Sequence, residues 1–65
     1  MKIKYFKDTD TIFIEFRSVE SAETRDLDEN TLLELDGNGR VCGITIEHAS
    51  ERADLPEFSF EEVSA

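Results

Sequence analysis

Asp36-Gly37-Asn38-Gly39 is the stretch whose residue types come nearest to a cation or phosphate site. Against a calcium-binding loop, Asp36, Asn38 and Glu47 fall at the first, third and twelfth positions. The match fails between them. Arg40 stands at the fifth position, where an oxygen ligand is needed, and Val41 at the sixth, where the sharp turn needs Gly. Gly37, Gly39 and Gly43 also resemble a phosphate cradle in spacing, but they lead into an alternating pattern rather than a helix N-terminus that would hold the charge. Asp36, Gly37, Asn38 and Gly39 are therefore read as a hairpin turn, because Asp-Gly and Asn-Gly most readily take positive φ in a tight reversal.

A thiol nucleophile and its base are suggested by Cys42 and His48. Six residues along one extended strand separate them by roughly 20 Å, at about 3.3 Å per residue, so they cannot share a proton. Cys42 is read as a small buried apolar residue. Ser50, His48 and Glu51 lie too close together in the chain for triad geometry, and the many carboxylates single out no acid-base pair. No catalytic residue, metal ligand or cofactor is assigned, and the expectation is a protein that is not an enzyme. A small hydrolase using His48 is kept as the third alternative.

The elements that must hold these residues are strands. "KIKYFKDTDTIFIEFR" is two alternating runs around a polar turn, with Ile3, Tyr5, Ile12, Ile14 and Phe16 on one face. Lys2, Lys4, Glu15 and Arg17 lie on the other, where Phe6 and Phe13 interrupt the polarity. "SVESAETRDLDEN" reads as a charged connection with a short edge strand near Thr24–Leu27; its competitor, a helix capped by Ser18 or Ser21, has too little to bury. "TLLELD" and "RVCGITIEH" form a second hairpin that adds Leu33, Leu35, Cys42, Ile44 and Ile46 to the first face. Gly43 leaves a gap on the second face that a side chain or a neighbouring chain could enter.

The fold class that follows is mostly β: a small antiparallel sheet of two β-hairpins, four or five strands, with a short C-terminal helix. Ser50 would cap that helix over Glu51–Asp54, and Pro56 would prevent it continuing through Leu55. Residues 1–53 are read as a single β-rich domain and 54–65 as a tail, docked or flexible. Phe6, Phe13, Leu32 and Val41 would be exposed on the sheet's second face and need a cover. The candidates are the tail and a second subunit, which makes these four the partner-binding or dimer face.

Composition narrows the partners. Sixty-five residues with a single cysteine form no internal disulfide, and a chain this short buries only about 60% of its unfolded surface, so a homodimer is expected. The formal net charge is -9. Residues 1–17 hold four cations against three anions, whereas residues 18–65 hold three against thirteen. That excess repels phosphates, so no direct nucleic-acid binding is expected even though Tyr5, Phe6, Phe13 and Phe16 alternate with lysines as a base-stacking sheet would. A charge-steered partner should be basic. The longest apolar runs are two or three residues, far short of the roughly 20 that cross a bilayer, so no membrane partner and a cytoplasmic location are expected.

Lys2, Ile3 and Tyr5, then Asp10, then Ile12, Phe13 and Ile14, and later Asp36, Gly39, Gly43, Ile44, Ala49 and Ser50 form two separated motifs. Together they resemble the small prokaryotic domain-of-unknown-function family 2283 over most of residues 1–53. The resemblance implies no catalytic residues. Some relatives look like partners of adjacent small toxins, which implies an antitoxin-like binding role. The expectation is thus an acidic, non-catalytic protein-binding module that masks a basic partner; the alternative is a structural homodimeric assembly subunit.

Overall fold

A computed structural model of the protein describes residues 1–55 and 57–64. Five strands, β1 (Lys2–Phe6), β2 (Thr11–Glu15), β3 (Glu23–Asp28), β4 (Thr31–Leu35) and β5 (Val41–Ile46), form one antiparallel sheet in the order β1-β2-β5-β4-β3. Both expected hairpins are present. The charged connection carries a full edge strand, longer than Thr24–Leu27, and no helix. Ser21 donates its hydroxyl to Glu34 at 2.6 Å instead of capping one.

The pairing of β2 with β5 turns two hairpins into one sheet. Its register places Ile12 opposite Ile46 and Ile14 opposite Ile44, so apolar side chains meet apolar side chains across the join. Two rows of one face result: Ile3, Ile14, Ile44, Leu33 and Tyr5, Ile12, Ile46, Thr31. Because β3 lies beyond β5 and β4, residues 17–22 cross that end of the sheet, where Leu35 and Cys42 are each only 4% exposed. Ile12, Leu35, Cys42 and Ala49 are the buried apolar residues, a small core for the chain. Cys42 is a buried free thiol, as its strand position predicts.

The turn at Asp36–Gly39 is a hairpin turn, though not the one the dipeptides suggest. Only Gly39 takes positive φ, at 79°. Asp36 does the bending: its Oδ1 accepts the N–H of Asn38 at 2.8 Å and of Arg40 at 3.0 Å, an arrangement in which a side chain imitates a backbone turn. A register shift beside Leu35 then absorbs the extra residue, so that Val41 stands opposite Leu35.

The expected C-terminal helix is a single 3₁₀ turn, Ala49–Glu51. Ser50 does not cap it, because its hydroxyl and its N–H are both given to Asp10. The turn is closed instead by the N–H groups of Arg52 and Ala53 on the Ala49 carbonyl. The break expected at Pro56 lies outside the described residues.

Candidate functional site

Of the four residues expected to form a binding face, three share one side of the sheet. Lys4, Phe13, Thr45, Leu32 and Asp26 make a single row across all five strands, with Phe6 one step along β1 from Lys4's row. Val41 stands apart at the far end of β5, where the bulge sets it opposite Leu35. Phe6 and Val41 are 50% and 41% exposed, and Phe13 and Leu32 are half-buried. Phe13 fills the gap at Gly43: a Cβ built there would sit 3.1 Å from its Cε1 and 3.1 Å from the Ile14 carbonyl oxygen. The side chain that enters is therefore the protein's own.

The tail does not lie on this face. Ala53, Asp54, Leu55, Glu57 and Phe58 border a cavity of about 360 Å³ whose other wall is Ile3, Tyr5, Ile12 and Ile14. The need for a cover was expected on the side of Phe6 and Phe13, but the more continuous apolar surface is the opposite one. Ile14, Ile44, Ile46 and Leu33 are half-buried there, as Phe13 and Leu32 are on the other side, and Ile3 and Tyr5 beside them are exposed. The reason is numerical: one layer of five strands has no second layer to bury either side.

The acidic residues gather on the free edge. All six residues of β3 are exposed, and Glu23, Asp26 and Asp28 lie along it between Glu20 and Glu29. The one cation of the strand, Arg25, is held by Glu23 at 2.9 Å. At the opposite edge β1 carries Lys2 and Lys4, with Lys7 following.

A polar cluster that spacing could not reveal ties the start of the chain to its end. Asp10, in the β1–β2 turn, has φ 52°; its Oδ2 accepts the Ser50 hydroxyl at 2.7 Å, and its Oδ1 accepts the Tyr5 hydroxyl at 2.7 Å and the Ser50 N–H at 3.0 Å. Its carbonyl takes the Ala49 N–H at 2.9 Å. The Ser50 hydroxyl first, and then the Tyr5 hydroxyl, hold the Asp10 carboxyl below the usual carboxylate range, while the same contact with Asp10 pushes the Tyr5 phenol up. Tyr5, Asp10, Ala49 and Ser50 were visible only as members of two separate sequence motifs. The fold makes them one structural knot, closed by hydrogen bonds between Asp10 and Ser50, 40 residues apart in the chain.

The remaining candidates stay separate. His48 is exposed, at φ 53°, with Nδ1 3.5 Å from Glu51, and Ser50 is turned toward Asp10 rather than toward it. Both carboxylate oxygens of Asp36 are occupied, Oδ1 by backbone N–H groups and Oδ2 by Arg17. The Arg40 and Asn38 N–H groups are the main cause that holds the Asp36 carboxyl below its ordinary range, with Arg17 adding to them. Among the described residues no group of three His, Cys, Asp or Glu is placed to hold a metal ion, and no helix is long and apolar enough to cross a membrane.

No curated protein and no solved structure matches the chain. Tyr5, Asp10, Ala49 and Ser50 all lie within residues 2–50, which match the family model described as Protein of unknown function (DUF2283), and the chain belongs to that family.

Proposed function

We propose that this protein is a non-catalytic protein-binding module whose partner is a basic protein. The observation that carries the reading is β3, an edge strand with every residue exposed and with Glu23, Asp26 and Asp28 along it. Outward N–H and C=O groups of an edge strand accept another strand, and the carboxylates select a segment rich in Lys or Arg. Leu32 and Phe13, in the same row as Asp26, extend the surface with apolar contact. Masking of a basic toxin is the antitoxin-like form of this reading, and it rests on the family resemblance.

The test isolates partners on the full chain and titrates any purified partner against the variant Glu23→Lys/Asp26→Lys. Affinity should fall at least about tenfold while the circular dichroism is unchanged, and wild-type binding should weaken with added salt. Phe13→Glu examines the apolar row in the same assay; unchanged binding would remove Phe13 from the surface. If the chain recovers only itself, the partner-masking reading fails and the homodimeric assembly subunit takes its place, a reading that the incompletely buried isoleucine face favours.

A further inference from the structure

The rows Ile3, Ile14, Ile44, Leu33 and Tyr5, Ile12, Ile46, Thr31 end in charge at β3, where Arg25 stands opposite Leu33 and Asp28 opposite Thr31. The apolar part of this face therefore lies toward β1, whose Ile3 and Tyr5 are the most exposed of the eight, at 38% and 37%. The C-terminal tail lies on that part and runs antiparallel to β1, with Leu55 by Tyr5 and Lys7, Phe58 by Ile3, and Phe60 by Met1 and Ile3. Exposure rises along it, from half-buried Leu55 to 66% at Phe58 and 79% at Phe60. The tail is held where it leaves the sheet and loosens with distance. What holds that end is residues 47–53, which are bonded to both hairpin turns. Asn30, between β3 and β4, accepts the Glu47 N–H at 2.8 Å. Asp10, between β1 and β2, takes the Ala49 N–H on its carbonyl and the Ser50 N–H and hydroxyl on its carboxylate. Arg52 donates to the Thr31 hydroxyl at 2.7 Å, and the fully buried Ala49 accepts the Ala53 N–H at 2.9 Å. Ala53 is thereby fixed at the border of the cavity of about 360 Å³ that Tyr5 and Ile12 line, and the tail leaves across it.

We propose that the bond between Asp10 and Ser50 is a latch and the tail beyond Ala53 a strap, held by that latch over the isoleucine face and closing it in cis against other chains. Tethering identifies the occupant. Leu55 follows two residues after the fixed Ala53. A segment joined to its site by so short a link has an effective concentration on the order of millimolar, which a second copy does not reach in dilute solution. The gradient of exposure points the same way, since the tail is tightest beside the latch and loosest at Phe60. The family match ends at residue 50, so the latch belongs to the shared domain and the strap lies beyond it. Because β3 is the far edge of the sheet, the strap stands or falls independently of the basic partner.

Nuclear Overhauser effects in the full chain test it. Contacts of the Leu55 methyls with the Tyr5 ring and of the Phe58 ring with the Ile3 methyls are expected, and a mixture of labelled and unlabelled chains should show them within one chain only. Ser50→Ala removes the hydroxyl from the latch. The contacts should then be lost and binding of the neutral apolar dye Nile red should rise at least about twofold, with the strand circular dichroism unchanged. Ser50→Thr keeps the hydroxyl and should retain the contacts. Leu55→Ser/Phe58→Ser should raise dye binding with the latch intact. Contacts absent from wild type or formed between chains overturn the proposal. So do contacts and dye binding unchanged by Ser50→Ala, equal loss of the contacts in Ser50→Thr, or dye binding unmoved by the Leu55/Phe58 variant. Should Ser50→Ala lose its strand signal, Asp10→Asn, which tolerates the same left-handed turn, decides by the same two readings.

Discussion

Asp10 holds a left-handed backbone that few side chains tolerate, and it does so while accepting from Ser50 and Tyr5. Asn tolerates the same φ but offers one neutral acceptor, so Asp10→Asn should lower the thermal midpoint without altering the fold. The pH dependence has a definite sign. A carboxyl held below its ordinary value of 3.8 in the folded state contributes fully above that pH, and the contribution disappears as pH falls through the folded value. The midpoint difference between wild type and Asp10→Asn, which cancels the general repulsion of a -9 chain, should therefore shrink below pH 3.8. A difference that stays constant down to about pH 2 would mean that the charge of Asp10 contributes nothing. Gly43 supplies a second residue-scale expectation. A methyl group there meets the Ile14 carbonyl, which cannot swing aside as the Phe13 ring can, so Gly43→Ala should cost about 1–3 kcal/mol in urea unfolding. Shortening Phe13 to Leu in the same chain should recover only part of it.

Among the elements, β2, β5 and β4 are each paired on both sides, and β2 and β5 matter most because their pairing joins the two hairpins. Ile12 is 8% exposed in β2, and Ile12→Ala should cost about 2–5 kcal/mol, enough to leave so small a domain largely unfolded. Leu27, 62% exposed on the edge strand, gives the contrast: Leu27→Ala should stay within about 0.5 kcal/mol of wild type. The two hairpins were legible because alternation of apolar and polar residues has the period of a strand. The join between β2 and β5 was not, since many pairings satisfy the same alternation and only the register of Ile12 with Ile46 selects one. The C-terminal helical turn was legible, but its extent and its cap were not: a serine before an acid looks like a cap until a carboxylate 40 residues away takes its hydroxyl.

At the scale of the molecule, stability should fall from the centre of the sheet outward. Amide exchange should be slowest in β2, β5 and β4, faster in the edges β1 and β3, and fastest in residues 57–64 of the tail. Equal protection of β1 and β5 would indicate that the β1 edge is covered in solution. The uneven charge gives the sheet two unlike ends, lysines on β1 and carboxylates on β3, and the strand order is what separates them. The turn at Asp36–Gly39, whose residue types alone raised a metal or a phosphate, is explained by the carboxylate of Asp36 bending its own backbone and pairing with Arg17.

Local pattern determined the strands, the turn at Asp36, the inward face of Cys42 and the acidity of the chain, because each is written in residue types and alternation over a few neighbouring positions. The tertiary structure decided the rest. It joined the hairpins through β2 and β5, drew Tyr5, Asp10 and Ser50 together, and laid the tail over Ile3 and Tyr5 rather than over Phe6 and Phe13. Each of these brings together residues far apart in sequence, and a contact of that kind is selected by the packing of the whole sheet, which no spacing along the chain records.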